Sequence, residues 1–202
     1  MAFIDVIPPS EASGRLEEIY KRIQAPDGQV DNVLQVHSLR PHSLEGHMAI
    51  YKAVLHHSGN RLPEWYLEAV GVLVSRLNGC GYCAGHHTAG LLRLLKSAQL
   101  DHEAYIAALD YIDPVEPFTH REQLGLRYAR KLTHTPGHIE AADIIALREA
   151  GFEDGEILEL NQVVAYFAYA NRTVTGLGVS PQGETLGQSP ETGGDDSGWS
   201  HG

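Results

Sequence analysis

Two cysteines, Cys80 and Cys83, are the only thiols in this chain of 202 residues, and His87 follows them closely. On a helix of 3.6 residues per turn these three positions are i, i+3 and i+7, which share one face. Thiol redox chemistry needs such a group, because one sulfur attacks, the second closes a disulfide and the imidazole handles the proton. The pattern therefore predicts a redox-active dithiol.

Glu68 is the carboxylate that we expect beside this dithiol. The dipeptide Asn78-Gly79 breaks the helical pattern, with Glu68 about ten residues before it and His87 about eight after it. At 1.5 Å per residue these side chains stand roughly 15 Å and 12 Å along their helices, so an antiparallel hairpin would bring them level. A carboxylate beside an imidazole orients the ring and raises its basicity. The spacing predicts a general base at His87.

The same residue types are compatible with other interpretations. Free cysteines are often buried as small hydrophobic side chains. A disulfide reductase or disulfide exchange protein would use the same dithiol. A zinc site could draw on Cys80, Cys83 and His87 with Glu68 or His86, although structural zinc usually takes two separated pairs of ligands and the sequence has no second cysteine pair.

Helical periodicity dominates the chain, and no strand-like alternation is sustained. The N-terminus of the helix that carries the cysteines would favour thiolate over thiol, because it has free N–H groups and the positive end of the helix dipole. Composition changes after Gly176, which predicts one all-α domain over 1–180 and a disordered tail over 181–202. The expected helices cover about 11–22, 33–39, 42–57, 64–77, 80–97, 102–110, 119–132, 139–150 and 154–175.

Composition narrows the class of partner. The chain carries 15 basic and 26 acidic residues, a net charge of -11, which argues against nucleic acid or an anionic membrane as the main partner. No apolar run approaches the roughly 20 residues of a membrane span, and the first residues lack the basic start of a secretory signal. A single close pair of cysteines is typical of a reducing compartment, so we expect a cytoplasmic protein.

The segment 62–91 resembles the core motif of the alkylhydroperoxidase D-like proteins, within the carboxymuconolactone decarboxylase superfamily. The matching pattern is Glu68, eleven residues, Cys80, two residues, Cys83, three residues and His87. The wider layout is similar to the peroxidase-related subgroup. The residues that carry this wider similarity are Phe3-Ile4-Asp5, Val36-His37-Ser38-Leu39 and Asn171-Arg172.

The resemblance implies an all-α helical bundle, with the C-x-x-C motif at the N-terminus of a core helix, that forms homo-oligomers. It implies an antioxidant enzyme that reduces organic hydroperoxides to alcohols without a metal or organic cofactor. Cys83 matches the attacking sulfur, and Cys80 matches the resolving sulfur, which exchanges with an external dithiol or disulfide reductase. His87 and Glu68 match the proton relay.

Tyr82 departs from the pattern that the resemblance implies. The best-studied members carry a histidine between the two cysteines, and a phenol is a poor base at neutral pH. His86 is a candidate substitute in the relay. Two other features leave alternatives open: Asn171 and Arg172 line a pocket mouth or end a helix, and Tyr166 and Tyr169 wall a pocket or pack in the core.

Overall fold

A computed structural model describes residues 2–25, 27–111, 113 and 115–187. The described part of the chain is helical and contains no β-strand, as the periodicity predicts. The α-helices are α1 (Gly14–Ile23), α2 (Asn32–Gln35), α3 (Pro41–Tyr51), α4 (Glu64–Leu77), α5 (Gly81–Ser97), α6 (His102–Ala108), α7 (His120–His134), α8 (Ala141–Glu149) and α9 (Asp154–Gly176).

Helix α4 is the centre of the main core. Ten consecutive residues, from Tyr66 to Ser75, are buried, because α4 is covered by α5, α7 and α9. A helix that is largely apolar on all sides belongs in such a position. Gly71 permits close packing of α4 against α9, since a Cβ at this residue would overlap the ring of Phe167 on α9. Phe167 in turn packs edge-on against His87, with 4.6 Å between ring centroids.

The turn between α4 and α5 aims the cysteines. Gly79 adopts φ 69°, a left-handed conformation that suits glycine, and the next amide, Cys80 N–H, bonds to Ser75 O at 2.9 Å. Cys80 is the N-cap residue of α5, and its sulfur accepts the Cys83 N–H. The tight turn makes α4 and α5 the antiparallel hairpin that the sequence predicts.

A smaller cluster joins the N-terminal helices, where α1 packs against α2 and α3. The predicted start of α1 at residue 11 is wrong: residues Pro9–Glu11 form a separate 3-10 turn, and α1 begins at Gly14. The predicted helix over 42–57 also changes form, because Lys52–His56 is a π-helical turn that continues α3. Such turns widen the helix locally and are frequent at functional sites.

A third cluster surrounds the cysteines and involves both ends of the described chain. Val36, Val174 and Val179 pack with Cys80 and Cys83, and Ala2 and Leu177 lie against them. The chain ends also pair directly, since Phe3 N–H donates to Leu177 O at 2.7 Å. The dithiol is therefore enclosed by segments that are far apart in sequence.

Candidate functional site

The two sulfurs lie side by side at the start of α5. Cys80 and Cys83 carry free thiols whose Sγ atoms are 2.9 Å apart. Both residues are buried, with 2% and 4% of their surface exposed. The separation is short enough for the sulfurs to share a proton, and a disulfide between them would span one helical turn.

The surroundings of the two thiols shift their pKa values in opposite directions. The hydrogen bond with Cys83 lowers the pKa of Cys80 to about 6, helped by the Cys83 N–H, the Thr175 side chain and the charge of His87, while burial opposes the shift. The pKa of Cys83 is raised, because its proton is held by Cys80 and because the residue is buried. The directions of the two shifts favour the thiolate at Cys80 and the proton on Cys83.

His87 and Glu68 meet as the spacing predicts. His87 Nδ1 lies 2.7 Å from Glu68 Oε2, and the two side chains are 16% and 4% exposed. A carboxylate bound to Nδ1 fixes the tautomer that carries a proton there. His87 Nε2 makes no hydrogen bond with the residues that the structure describes, so it is open to a ligand.

A cavity of about 70 Å³ connects these groups, and one water needs roughly 10–15 Å³ of such space. Cys83, His87 and Glu68 all line it, whereas Cys80 does not. Its other walls are mainly apolar and aromatic and come from α2, α3 and α9. They include Val33, Leu34, Met48, Tyr51, Tyr166 and Ala170.

Tyr166 and Tyr169 have different roles, although the sequence offered the same alternatives for both. Tyr166 is buried in the main core and also lines the cavity, so both alternatives hold for it. Tyr169 is 41% exposed and lies within hydrogen-bonding reach of His37 Nε2, at 3.4 Å. His47 also lines the cavity, and burial lowers its pKa to about 3, so this imidazole is neutral.

His86 and Tyr82 face a carboxylate that the sequence did not indicate. Glu184 Oε1 accepts the Tyr82 O–H at 3.0 Å, and Glu184 Oε2 lies 3.3 Å from His86 Nε2. The His86 Nδ1 accepts the Gly187 N–H at 3.4 Å. Both nitrogens of His86 are therefore occupied, which disfavours this residue as a substitute base in the relay.

Tyr82 is an anchor in this arrangement. Its oxygen accepts the Val33 N–H at 3.1 Å while its O–H donates to Glu184. Burial and the nearby Glu184 charge raise the pKa of Tyr82 above its usual value of 10.0. The phenol therefore stays protonated and joins α2, α5 and the C-terminal residues.

These contacts involve the first residues of the predicted tail. Residues 181–187 fold back onto α2 and α5, and the Glu184 side chain is only 2% exposed. The glycine-rich composition suggested a tail with nothing to bury, and it gave no sign that one acidic side chain finds buried partners. The remainder of the predicted tail, 188–202, lies outside the described residues.

Asn171 is buried beside the dithiol and is not at a helix end, because α9 continues to Gly176. Its amide donates to Ser75 Oγ at 3.1 Å, its oxygen accepts from Asn78 at 2.9 Å, and it forms a hydrogen bond with Cys83. Arg172 is exposed and bonds to Ala168 O. Sequence periodicity places Asn171 on the same face as the core residues of α9, which was the available signal.

No group of three or more His, Cys, Asp or Glu side chains within the described ranges is arranged to hold a metal ion. The zinc interpretation thus gains no support from the positions of Cys80, Cys83, His87, Glu68 and His86. None of the described helices is long and apolar enough to span a bilayer.

Neither a protein-family model nor a curated protein matches the sequence. Solved structures do match the fold. An uncharacterized peroxidase-related protein from Silicibacter sp. TM1040 is 26% identical, with a TM-score of 0.72 over 88% of this chain and 87% of that one. An uncharacterized peroxidase-related protein from Ralstonia eutropha JMP134, described as an alkylhydroperoxidase AhpD core, is 24% identical, with a TM-score of 0.73 over 94% and 98%.

A further solved structure matches the fold at lower sequence identity. The debrominase Bmp8 in its apo form is 16% identical, with a TM-score of 0.68 over 87% of this chain and 89% of that one. The comparisons confirm the alkylhydroperoxidase D-like resemblance and the all-α fold that it implied. The fold also carries a debrominase, so the activity has to be argued from the site.

Proposed function

We propose that this chain, which has the alkylhydroperoxidase D-like fold, is a thiol-dependent peroxidase that reduces hydroperoxides to alcohols through Cys83 and Cys80. One observation carries the proposal: Cys83 lines a small, mainly apolar cavity together with the His87–Glu68 pair, and a second thiol lies 2.9 Å behind it. Such a cavity suits a small hydroperoxide with an apolar substituent.

The first step is attack by Cys83 on the outer oxygen of the hydroperoxide. His87 Nε2 takes the Cys83 proton, while Glu68 stabilises the imidazolium through Nδ1. The sulfur–oxygen bond forms as the O–O bond breaks, and the leaving alkoxide receives the proton from His87 to become the alcohol. Cys83 is then a sulfenic acid.

The second step closes the disulfide. The Cys80 thiolate attacks the Cys83 sulfur, and the expelled hydroxide takes a proton to become water. The lowered pKa of Cys80 suits this role, because its sulfur is already ionised at neutral pH and already lies beside Cys83. An external dithiol then exchanges with the disulfide, which returns both cysteines to thiols as the external dithiol is oxidised.

The test is a count of thiols against time. The protein is reduced, freed of reductant, treated with chelator and mixed with one equivalent of an organic hydroperoxide. We expect rapid loss of both thiols, formation of one equivalent of alcohol and no covalent dimer. Thiols that persist for hours would exclude the peroxidase activity and favour disulfide exchange, which predicts turnover of a disulfide substrate without peroxide consumption.

The assembly and location implied above stay predictions. We expect a homo-oligomer in the cytoplasm, served by a dithiol or disulfide-reductase partner. Sedimentation of the reduced and oxidised protein would measure the assembly, and its result leaves the thiol chemistry of one chain unchanged.

A further inference from the structure

Both sulfurs are shielded, yet the proposed cycle requires an external dithiol to reach their disulfide. Exposure of 2% and 4% leaves no surface on which a macromolecule could dock against sulfur. The cavity in front of Cys83 is bounded in part by residues 180–187, which we call the C-terminal strap. Its last described residue, Gly187, lines the cavity, and so do Tyr82 and His86, which bond to the strap.

The strap is attached mainly through Glu184. This carboxylate accepts the Tyr82 O–H and the backbone N–H of Asn32, and it lies 3.3 Å from His86 Nε2. Acceptors with a full charge make the stronger hydrogen bonds in proteins. Because the side chain is 2% exposed, these partners replace water almost completely.

Further bonds align the strap along α2 and the loop before it. Thr185 N–H donates to Gln29 Oε1 at 3.0 Å, and the Asn32 amide donates to Ser180 O at 3.0 Å. These two bonds involve exposed or half-exposed groups, so they are weaker constraints than those of Glu184. The strap is thus held by buried contacts at Glu184 and at Gly187, whose N–H donates to His86 Nδ1, and it is guided by the two outer bonds.

Gly187 fits closely against α5. Its φ is 74°, and a Cβ at this position would lie 2.6 Å from Ala89 Cβ and 2.9 Å from Arg93 Nη1. Gly183 provides a contrast in the same strap, since its φ is 87° but a Cβ there would meet nothing within 4 Å. The close fit of the strap against α5 therefore depends on the absence of a side chain at residue 187.

We propose that the C-terminal strap is a wall of the cavity that selects by size: small molecules reach Cys83 while the strap is seated, and a macromolecular dithiol reaches Cys83 only when the strap lifts. The identity of that large partner as the reductant rests on the proposed function. The size selection itself does not, because it follows from the burial of the sulfurs and the seat of Glu184.

The experiment measures alkylation of the full-length reduced protein by two probes. Iodoacetamide is the small probe, and a maleimide carrying a long polyethylene glycol chain is the large one, with the modified cysteine identified by mass spectrometry. Glu184→Ala removes the buried attachment, and Gly187→Ala pushes the strap off α5 without changing charge. Gly183→Ala is the matched control, because it carries the same φ strain without the clash.

We expect the rate with the large probe to rise at least about tenfold in Glu184→Ala and in Gly187→Ala, since each loses the equivalent of a charged hydrogen bond or a close packing contact. The rate with the small probe should rise less than about threefold, and Gly183→Ala should stay within about twofold of the original chain. A melting curve with helical ellipticity checks that the variants fold.

Two results would overturn the inference. One is an unchanged rate with the large probe in both folded variants. The other is an equal rise for both probes, because that would mean α5 opens as a whole. Alkylation involves no peroxide, so a protein that shows the size effect but consumes no hydroperoxide would contradict the proposed function and leave the strap as a wall over the dithiol.

Discussion

Two neighbouring histidines, His86 and His87, each meet a glutamate, and the two pairs differ in what remains free. His87 contacts Glu68 through Nδ1 and leaves Nε2 without a hydrogen bond among the described residues. His86 contacts Glu184 through Nε2 and accepts the Gly187 N–H on Nδ1. The first pair can therefore take up a proton from a ligand, whereas the second has both nitrogens in use.

The origin of each carboxylate explains the difference. Glu68 lies on α4, the central buried helix, and is held against α5 by the core. Glu184 lies on a strap beyond the last helix, where it can leave without disturbing that core. A carboxylate on a rigid element suits a proton relay that must keep its geometry, and one on a peripheral segment suits a removable cover. The same residue pair thus has two uses.

The largest effect is expected from Cys83, the sulfur that lines the cavity. Cys83→Ser should abolish peroxide turnover, because serine supplies no thiolate at neutral pH. Cys80→Ser should also stop turnover, yet it should allow one equivalent of alcohol to form and leave a sulfenic acid that a dimedone probe labels on Cys83. Mass spectrometry of each variant after one equivalent of hydroperoxide measures this. A labelled sulfenic acid on Cys80 in Cys83→Ser would reverse the two roles.

The comparison of the two histidines predicts that their substitution lowers the rate of Cys83 oxidation by unequal amounts. His87→Gln should lower the rate of Cys83 oxidation by about 10²–10⁴, the usual contribution of a general base. His86→Gln should lower it by less than about fivefold, because His86 has no free nitrogen to act with. Single-turnover rates for both variants give the ratio directly. Equal losses of rate would contradict the distinction between His87–Glu68 as a proton relay and His86–Glu184 as the attachment of the strap.

Glu68→Gln should have an intermediate effect. The amide keeps the size of the side chain and a hydrogen bond to His87 Nδ1, and it loses the charge that stabilises the imidazolium. We expect the oxidation rate to fall about tenfold to hundredfold, consistent with the loss of one charged interaction. Glu64→Gln is the control, since Glu64 pairs with His56 away from the cavity. A similar fall in the control would show a general charge effect.

The helices that could be predicted from the sequence are those that carry their own start and stop signals. Helix α4 has the predicted bounds, and α7 starts with a capping box between Thr119 and Glu122. The start of α1 was missed because two prolines and a serine can open either a helix or a 3-10 turn, and tertiary packing decides between them. The π turn at Lys52–His56 has no sequence signature of its own.

The contacts of the site likewise differ in how far the sequence could predict them. Spacing within a hairpin predicted the contact of Glu68 with His87, because one tight turn fixes the level of both side chains. It could not predict Glu184, which reaches His86 from 98 residues away through a segment without helical periodicity. Thr175 and Asn171 were likewise beyond reach as partners of the sulfurs, since their positions depend on how α9 crosses α5.

A pH titration of the thiolate tests whether Cys80 is the sulfur that ionises first. In the reduced protein one thiol should ionise near pH 6, because the Cys83 hydrogen bond lowers the pKa of Cys80 from 9.0 to about 6. Cys83→Ala removes that bond and should raise the Cys80 pKa by at least about one unit, a tenfold change in ionisation. The ultraviolet absorbance of the thiolate follows both.

The sign for stability follows from the same shift. Between pH 6 and 9 the unfolded chain binds the Cys80 proton and the folded chain does not, so this group makes stability rise with pH in that window. Thr175→Val is the milder variant, with a smaller rise of the pKa. An unchanged titration in Cys83→Ala would mean that the helix start alone sets the ionisation of Cys80.

The smallest effect is expected at His47, the third imidazole of the cavity and one with no carboxylate partner. Burial, with the charges of His37 and His87, lowers its pKa from 6.5 to about 3. Its Nδ1 has no hydrogen bond within the described residues. Below pH 6.5 the unfolded chain binds a proton that the folded chain refuses, so stability falls as pH falls toward 3.

His47→Phe keeps the ring and removes this proton linkage. At pH 7.5 we expect the free energy of unfolding to change by less than about 1 kcal/mol, because the lost nitrogens were poorly satisfied. Between pH 7.5 and pH 5 the variant should lose about 2 kcal/mol less than the original chain, the linkage of one histidine over that range. Urea unfolding at the two pH values measures both. An identical acid sensitivity would mean that His47 takes up a proton while the protein is folded.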